Sequence, residues 1–271
     1  MDFYPRICYN IISMSLLSKS IDTVSCCWGD SSDLINYSNS CYSDLPFRKS
    51  ISFRAKHHFS NFDFINEVIV NIDAFSSDYI LLIDEDCFIC DTNALVSLIN
   101  YQIKNDIHVS GMPDGGVPCR CHNPIGINPF LSFLNLKEIR KVYDVDSVKS
   151  TEYCESLNKF LPQDLMKDGY PWELDNFEDY YKIWFFLLKK GFNIKYLDAY
   201  FYHDIFDDLT DDEHSTILNN QENKPVAFHS WYGRRYFCSD FHKNRITNLY
   251  NKAKDYNKTC HLSSDGRAPH L

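Results

Sequence analysis

Apolar and polar positions repeat with two different periods along this chain, and the changes of period mark its elements. "KSISFRA" (49–55) alternates with period two, the pattern of a strand with one buried face. "NFDFINEVIVNIDAF" (61–75) sets Ile65, Val68, Ile69 and Ile72 at helical spacing, so a helix is expected there. "YILLI" (79–83) is an uninterrupted apolar run, too short for a helix and suited to a strand covered on both faces. Ahead of these, "IDTVSCCW" (21–28) reads as a strand, with a helix beginning near Asp30.

The alternation continues downstream. Asp91 or Thr92 is placed to cap a helix over "NALVSLINYQIKN" (93–105), and "IHVSG" (107–111) returns as a strand. A loop rich in turn-formers, 112–129, leads to a strand at "FLSFLNL" (130–136) and a short helix through "KEIRKVY". In "NFEDYYKIWFFLLKKG" (176–191), Phe177, Tyr181, Trp184, Phe185 and Leu188 share a helical face. Acids in the first turn, lysines in the last and Gly191 as a stop complete that helix, and the strand "NIKYL" follows. This predicts an α/β fold: a mixed, mostly parallel sheet flanked by helices, with ligands beyond the C-terminal strand ends. No repeat or Gly/Ser/Pro-rich linker interrupts it, so one domain over 1–223 with a C-terminal extension over 224–271 is the simplest division.

With 271 residues, 44% of them hydrophobic, the chain can fill a large core. A net charge of -10 argues against nucleic acid as a partner, which needs a basic footprint. The longest apolar runs, such as "IWFFLL" (183–188), fall far short of a membrane span, and the first residues lack a leader's cleavage site. A cytoplasmic protein is therefore expected. Its 11 cysteines, odd in number and irregularly spaced, read as reduced core residues.

The apolar strand 79–83 runs straight into Asp84, Glu85 and Asp86. If the strand continues, Asp84 and Asp86 share one face and Glu85 points away. Two carboxylates on one side suit a hard divalent cation, Mg²⁺ or Mn²⁺, which can also be shared with phosphate oxygens. A solvated acidic turn would carry the same letters.

"DYILLIDEDCFI" (78–89), together with "WELDNFEDYYKIWFFLLKKGFNIKYLDAYFYHD" (172–204), resembles the GT-A-fold glycosyltransferases in the order and spacing of its motifs. These enzymes move a sugar from a nucleotide diphosphate donor. The resemblance spans about residues 21–205, is specific at those two blocks and is loose elsewhere. It implies a GT-A-like, Rossmann-like fold with a nucleotide-sugar donor, a UDP-sugar first. Asp84 then contacts the donor's ribose or sugar, Asp86 ligates the metal, and His203 supplies another metal ligand. Imidazole beside carboxylate favours Mn²⁺ over Mg²⁺. In inverting members an "ED" at the later position supplies the base that takes the acceptor's proton, which makes Asp179 the first choice and Glu178 the second. Both also suit a helix start with no further role.

"KPVAFHSWYGRRYF" (224–237) adds a second histidine and two arginines. Some metal-dependent members close over the donor with a C-terminal loop of this kind. His229 therefore competes with His203 for the metal, and Arg234 or Arg235 can clamp the diphosphate. Asp114 in "GMPDGG" (111–116) can bond a donor-sugar hydroxyl, and Trp172 can stack on an acceptor sugar; a turn and a core tryptophan are the plainer readings. From Arg234 on the chain is basic, with Lys243, Arg245, Lys252, Lys254 and Lys258, a tail able to meet an anionic membrane surface or a lipid-linked acceptor. The whole fits a metal-dependent, hexosyltransferase-type enzyme, peripheral at the inner membrane face, acting on a glycan or glycolipid in polysaccharide biosynthesis. Two rivals stand beside it. A sugar nucleotidyltransferase would want a Gly-rich, basic loop after the first strand, where "CCWGDSSD" has one glycine and no base. A zinc-stabilised binding module would draw on Cys87, Cys90, Cys119, Cys121 and His122.

Overall fold

The computed structural model describes Leu17 and residues 20–27, 32–54, 60–118, 120–206, 208–209 and 214–264. Strand β1 (Ile21–Cys27) is followed by helix α1 (Ser32–Ser40), β2 (Lys49–Arg54), α2 (Asn61–Val70) and β3 (Tyr79–Ile83). Next come β4 (Cys87–Ile89), α3 (Thr92–Lys104), β5 (Val109–Gly111), β6 (Leu131–Asn135) and the short helices α4 (Leu136–Ile139) and α5 (Val145–Lys149). Helix α6 (Tyr181–Lys189), β7 (Ile194–Tyr196), β8 (Ala199–Phe201), the one-turn α7 (Tyr202–Ile205), β9 (Thr216–Asn219), β10 (Pro225–His229) and the long α8 (Asp240–Ser264) complete the chain.

Six strands form one sheet in the order β2-β1-β3-β6-β5-β7. β2, β1 and β3 run parallel, as do β5 and β7, while β6 is antiparallel to both neighbours. This is the mixed, mostly parallel α/β sheet the alternating pattern predicts. Period-two geometry sorts the core: Leu81 and Ile83 of β3 pack into one apolar cluster, Ile80 and Leu82 into the other. The first cluster reaches α3 and α8; the second is filled by α2 and by α6, whose Trp184 is fully enclosed. A buried acid in β1, Asp22, is held by a bidentate pair with Arg48.

A second sheet, β4-β10-β9-β8, is antiparallel throughout and lies outside the sequence expectation. Its strands are three to five residues long, too short to show a period. Segment 224–271 therefore supplies a strand of this sheet and the helix α8, which packs Ile246, Leu249 and Ala253 into the core.

Some boundaries differ from the sequence reading for local reasons. α2 stops at Val70 because Asn71 turns the chain, its Oδ1 accepting from the Ala74 amide, so Ile72 is left exposed. α6 starts only at Tyr181, and Glu178 and Asp179 precede it instead of filling its first turn. The chain ahead of it is pinned elsewhere: the Glu173 amide bonds to the His122 carbonyl, the Asn123 amide to the Asn176 carbonyl, and the Asn176 side chain to the Cys121 carbonyl. The helix near Asp30 begins at Ser32, with Asp30 outside the described residues. Among the described residues no helix is long and apolar enough to cross a membrane.

Candidate functional site

The turn between β3 and β4 carries the three acids. The Cys87 amide donates to the Asp84 carbonyl at 3.1 Å, and the Asp84 amide donates to the Phe130 carbonyl at 2.8 Å. Residues 84–86 are thus a tight turn, not an extended strand end, and alternation does not set their directions. Asp84 and Asp86 converge all the same, and Glu85, expected on the far face, lines the same cleft.

Asp86 is fixed from three sides. Its Oδ2 accepts from the Ser230 hydroxyl at 3.0 Å and the Gly233 amide at 3.0 Å, and its Oδ1 lies 3.2 Å from His229 Nε2. Burial pushes its pKa up, but the His229 charge and hydrogen bond, the Ser230 hydroxyl and the Arg245 charge together hold the carboxyl below the usual range. Among the described residues Asp84 has no donor of this kind. Burial lifts its pKa to about 7, the neighbouring Asp86 adds to the rise, and His229 and Arg234 oppose it. Asp86 is thus biased towards its ionised form and Asp84 towards its protonated form, a difference that a cation between them would reduce by favouring ionisation of both.

His229 completes the group. Its ring lies flat on Phe130, centroids 4.3 Å apart, and against Trp231 at 4.5 Å. Oxygens of Asp84 and Asp86 and a ring nitrogen of His229 lie within 4.8 Å of one another. The remaining ring nitrogen, Nδ1, is buried with no hydrogen-bond partner. Two carboxylate oxygens and an imidazole suit Mn²⁺ or Mg²⁺, so the residues fit the ion the sequence suggested.

The loop after β10 brings the remaining groups in. Trp231 and Tyr232 both take left-handed backbone angles, φ 56° and 60°, which bulky residues rarely adopt. The strain is held by Arg245 of α8, buried and donating to the Ser230 carbonyl at 2.5 Å and the Trp231 carbonyl at 2.8 Å. Trp231 Nε1 donates to Thr216 Oγ1 at 2.8 Å. The turn aims the Gly233 amide at Asp86, where a Cβ on residue 233 would stand 3.0 Å from the Asp86 Cγ. Arg234 and Arg235 follow immediately, and both line the cleft, Arg235 lying 5.1 Å over the Tyr232 ring.

Arg120, which sequence reasoning missed, lines the same cleft, whose volume is ≈ 370 Å³. Its sequence signal was slight: it is the only lysine or arginine in the loop 112–129. Asp114 explains how it is held. That carboxylate is fully buried and accepts five hydrogen bonds: from Arg120 Nε (2.8 Å) and Nη2 (3.1 Å), Asn128 (2.7 Å), Tyr180 (2.6 Å) and Tyr181 (2.5 Å). Burial alone would raise its pKa; the Arg120 charge and these donors depress it. A ligand hydroxyl reaches Asp114 only by displacing one of them.

The other predicted residues are placed differently. His203 sits on α7, half exposed, 3.4 Å from Asp204, and is not in the group formed by Asp84, Asp86 and His229. Glu178 is tied to the cleft wall: its Oε1 accepts from Arg120 Nη2 at 2.6 Å and lies 3.4 Å from His122 Nε2. Asp179 is exposed and lines a separate cavity. Trp172 is 41% exposed and is not among the cleft residues. Cys87 and Cys90 lie inside the apolar cluster, where burial raises their thiols well above the ordinary range; Cys119 is outside the described residues. In the basic tail Arg245 is internal, and Lys252 and Lys258 pair with Asp208 and Asp255.

No family model matches the chain, and no curated protein matches it. Among solved structures it is similar to A197 from STIV, with a TM-score of 0.34 and 10% identity over 47% of this chain and 70% of that one. It is also similar to a glycosyltransferase involved in the glycosylation of the major capsid of PBCV-1, with a TM-score of 0.34 and 11% identity over 58% of this chain and 81% of that one. At these scores the likenesses are loose.

Proposed function

We propose that this chain is a metal-dependent glycosyltransferase that moves a sugar from a nucleoside diphosphate donor to a hydroxyl acceptor. The observation that carries the reading is the meeting of Asp84, Asp86 and His229 in a cleft that also takes in Arg120, Arg234 and Arg235. Acids and a histidine suit a divalent ion; arginines beside them suit the oxygens of a diphosphate. The two groups of opposite charge in one cleft match a ligand that is itself a metal–pyrophosphate pair.

Asp84, Asp86 and His229 would hold Mn²⁺ or Mg²⁺, which supplies offset for the charge developing on the departing diphosphate. Arg234 and Arg235, fixed on the turn after Tyr232, would bind its oxygens through charge-assisted hydrogen bonds. Glu178 is the better placed of the two candidate bases. Arg120 and His122 engage its Oε1, orienting the carboxylate and leaving Oε2 to take the acceptor proton. Asp179 has no such tie to the cleft.

The test is a thermal-shift screen of UDP-, GDP- and dTDP-sugars with and without Mn²⁺, since a ligand that binds only the folded state raises Tm. At least one donor should raise Tm in the presence of Mn²⁺, and the shift should vanish in Asp86→Asn. If none of the donors moves the wild-type transition, the reading is wrong.

A further inference from the structure

A second cavity, ≈ 240 Å³, is lined by Glu178, whose Oε1 accepts from Arg120 of the cleft. Its floor is aromatic. Phe177 is 41% exposed, yet its ring is held 5.3 Å from Tyr153 and 5.8 Å from Phe185. A phenyl ring propped by two others and left half in water is a rigid apolar platform. Its rim is acidic: Glu152, Glu178 and Asp179 line the cavity with Lys182. Lys182 is already committed to Glu152 at 3.1 Å and to the Lys149 carbonyl at 3.0 Å.

The charge decides the class of ligand. Glu178 is paired with Arg120 and Glu152 with Lys182, and Lys189 is turned onto the Glu152 carbonyl, so each cation near this cavity is engaged while the Asp179 carboxylate remains on its lining; the nucleotide that suits the cleft does not suit such a site. Carboxylates that accept only, set around an exposed ring, match a molecule with an apolar C–H face and several hydroxyl donors. A pyranose has both. We propose that this cavity is the subsite for a neutral pyranose of the acceptor, a proposal that rests on the transferase reading above. The Phe177 ring would take the sugar's C–H face while Asp179 and Glu152 accept from its hydroxyls. Glu178, shared between cavity and cleft wall, places one hydroxyl next to the donor.

Saturation-transfer NMR on the full chain tests this with the methyl glycosides of glucose, galactose, mannose and N-acetylglucosamine, with UDP and Mg²⁺ as the cleft probe. At least one glycoside should receive saturation on its ring C–H protons, and UDP with Mg²⁺ should not displace it. Phe177→Ala should weaken that binding about fivefold, the range of one aromatic contact, whereas Phe241→Ala, an exposed ring that does not line the cavity, should leave it unchanged. Silence from all four glycosides, undiminished binding in Phe177→Ala, or displacement by UDP would overturn the subsite. Glycoside binding without any UDP binding would sink the transferase reading while upholding the sugar site.

Discussion

Replacing Asp114 with alanine tests the buried network that holds Arg120. The substitution removes the acceptor of five hydrogen bonds at a fully buried position. Arg120 keeps only Glu178 as a carboxylate partner, and the Tyr180 and Tyr181 hydroxyls and the Asn128 amide lose their acceptor. Breaking a buried ion pair from one side costs about 3–5 kcal/mol, and each stranded polar group about 1–3 kcal/mol, terms that overlap because the groups relax together. A loss of about 4 kcal/mol is expected, against a total of roughly 5–15 kcal/mol for a domain. Asp114→Asn keeps the volume and one acceptor oxygen, and about half that loss is expected. Urea unfolding at pH 7 measures it as a shift of midpoint at constant slope. The pH dependence gives a second reading. The Asp114 carboxyl is depressed in the folded state, so its contribution is complete above the unfolded carboxyl's pKa and fades as pH falls through the folded value. The gap between wild type and Asp114→Ala should therefore narrow in acid. A loss under about 1 kcal/mol at pH 7, or a gap that does not close, would show that the network is not what holds Arg120.

Asp84 carries the opposite sign. Its pKa is raised to about 7, so in metal-free protein the folded state binds more protons than the unfolded between about pH 4 and 7, and stability falls as pH rises through that window. Asp84→Asn should remove that slope and raise the Tm of the metal-free protein at pH 8, while weakening Mn²⁺ binding. His229→Ala should lower Mn²⁺ affinity about tenfold or more by titration calorimetry and His203→Ala should leave it unchanged; the reverse result would return the metal to His203. Gly233→Ala drives a methyl against Asp86 and should cost about 1–3 kcal/mol in thermal unfolding together with a weaker Mn²⁺ isotherm. An unaltered isotherm would mean that the loop after β10 yields freely.

Half of this site could be read from the letters. Asp84 and Asp86 were found because a fully apolar strand announces the acids at its end, and burial of that strand is a property of its own five residues. His229 and Arg120 depend on contacts between segments far apart in the chain. Local sequence does not tell which histidine meets the acids: His229 ends β10 and His203 lies just past β8, and only pairing of β10 with β4 brings the former within 3.2 Å of Asp86. Asp114 read as a ligand contact because an acid in a Gly-rich turn is usually solvated. Its enclosure by Tyr180 and Tyr181, more than 60 residues away, is a tertiary fact. The amphipathic pattern from 176 overruns the helix for the same reason, since hydrogen bonds to residues 121–123 hold the chain out of it before Tyr181.

The acidic turn also joins the two sheets, since β3 belongs to the large one and β4 to the small. His229 ends β10, the small sheet's own neighbour of β4. An ion gripped by these three side chains would act as a rivet through the joint between two β layers, and metal loading should slow amide exchange in both layers at once. Chelation would then loosen the architecture as well as silence the chemistry.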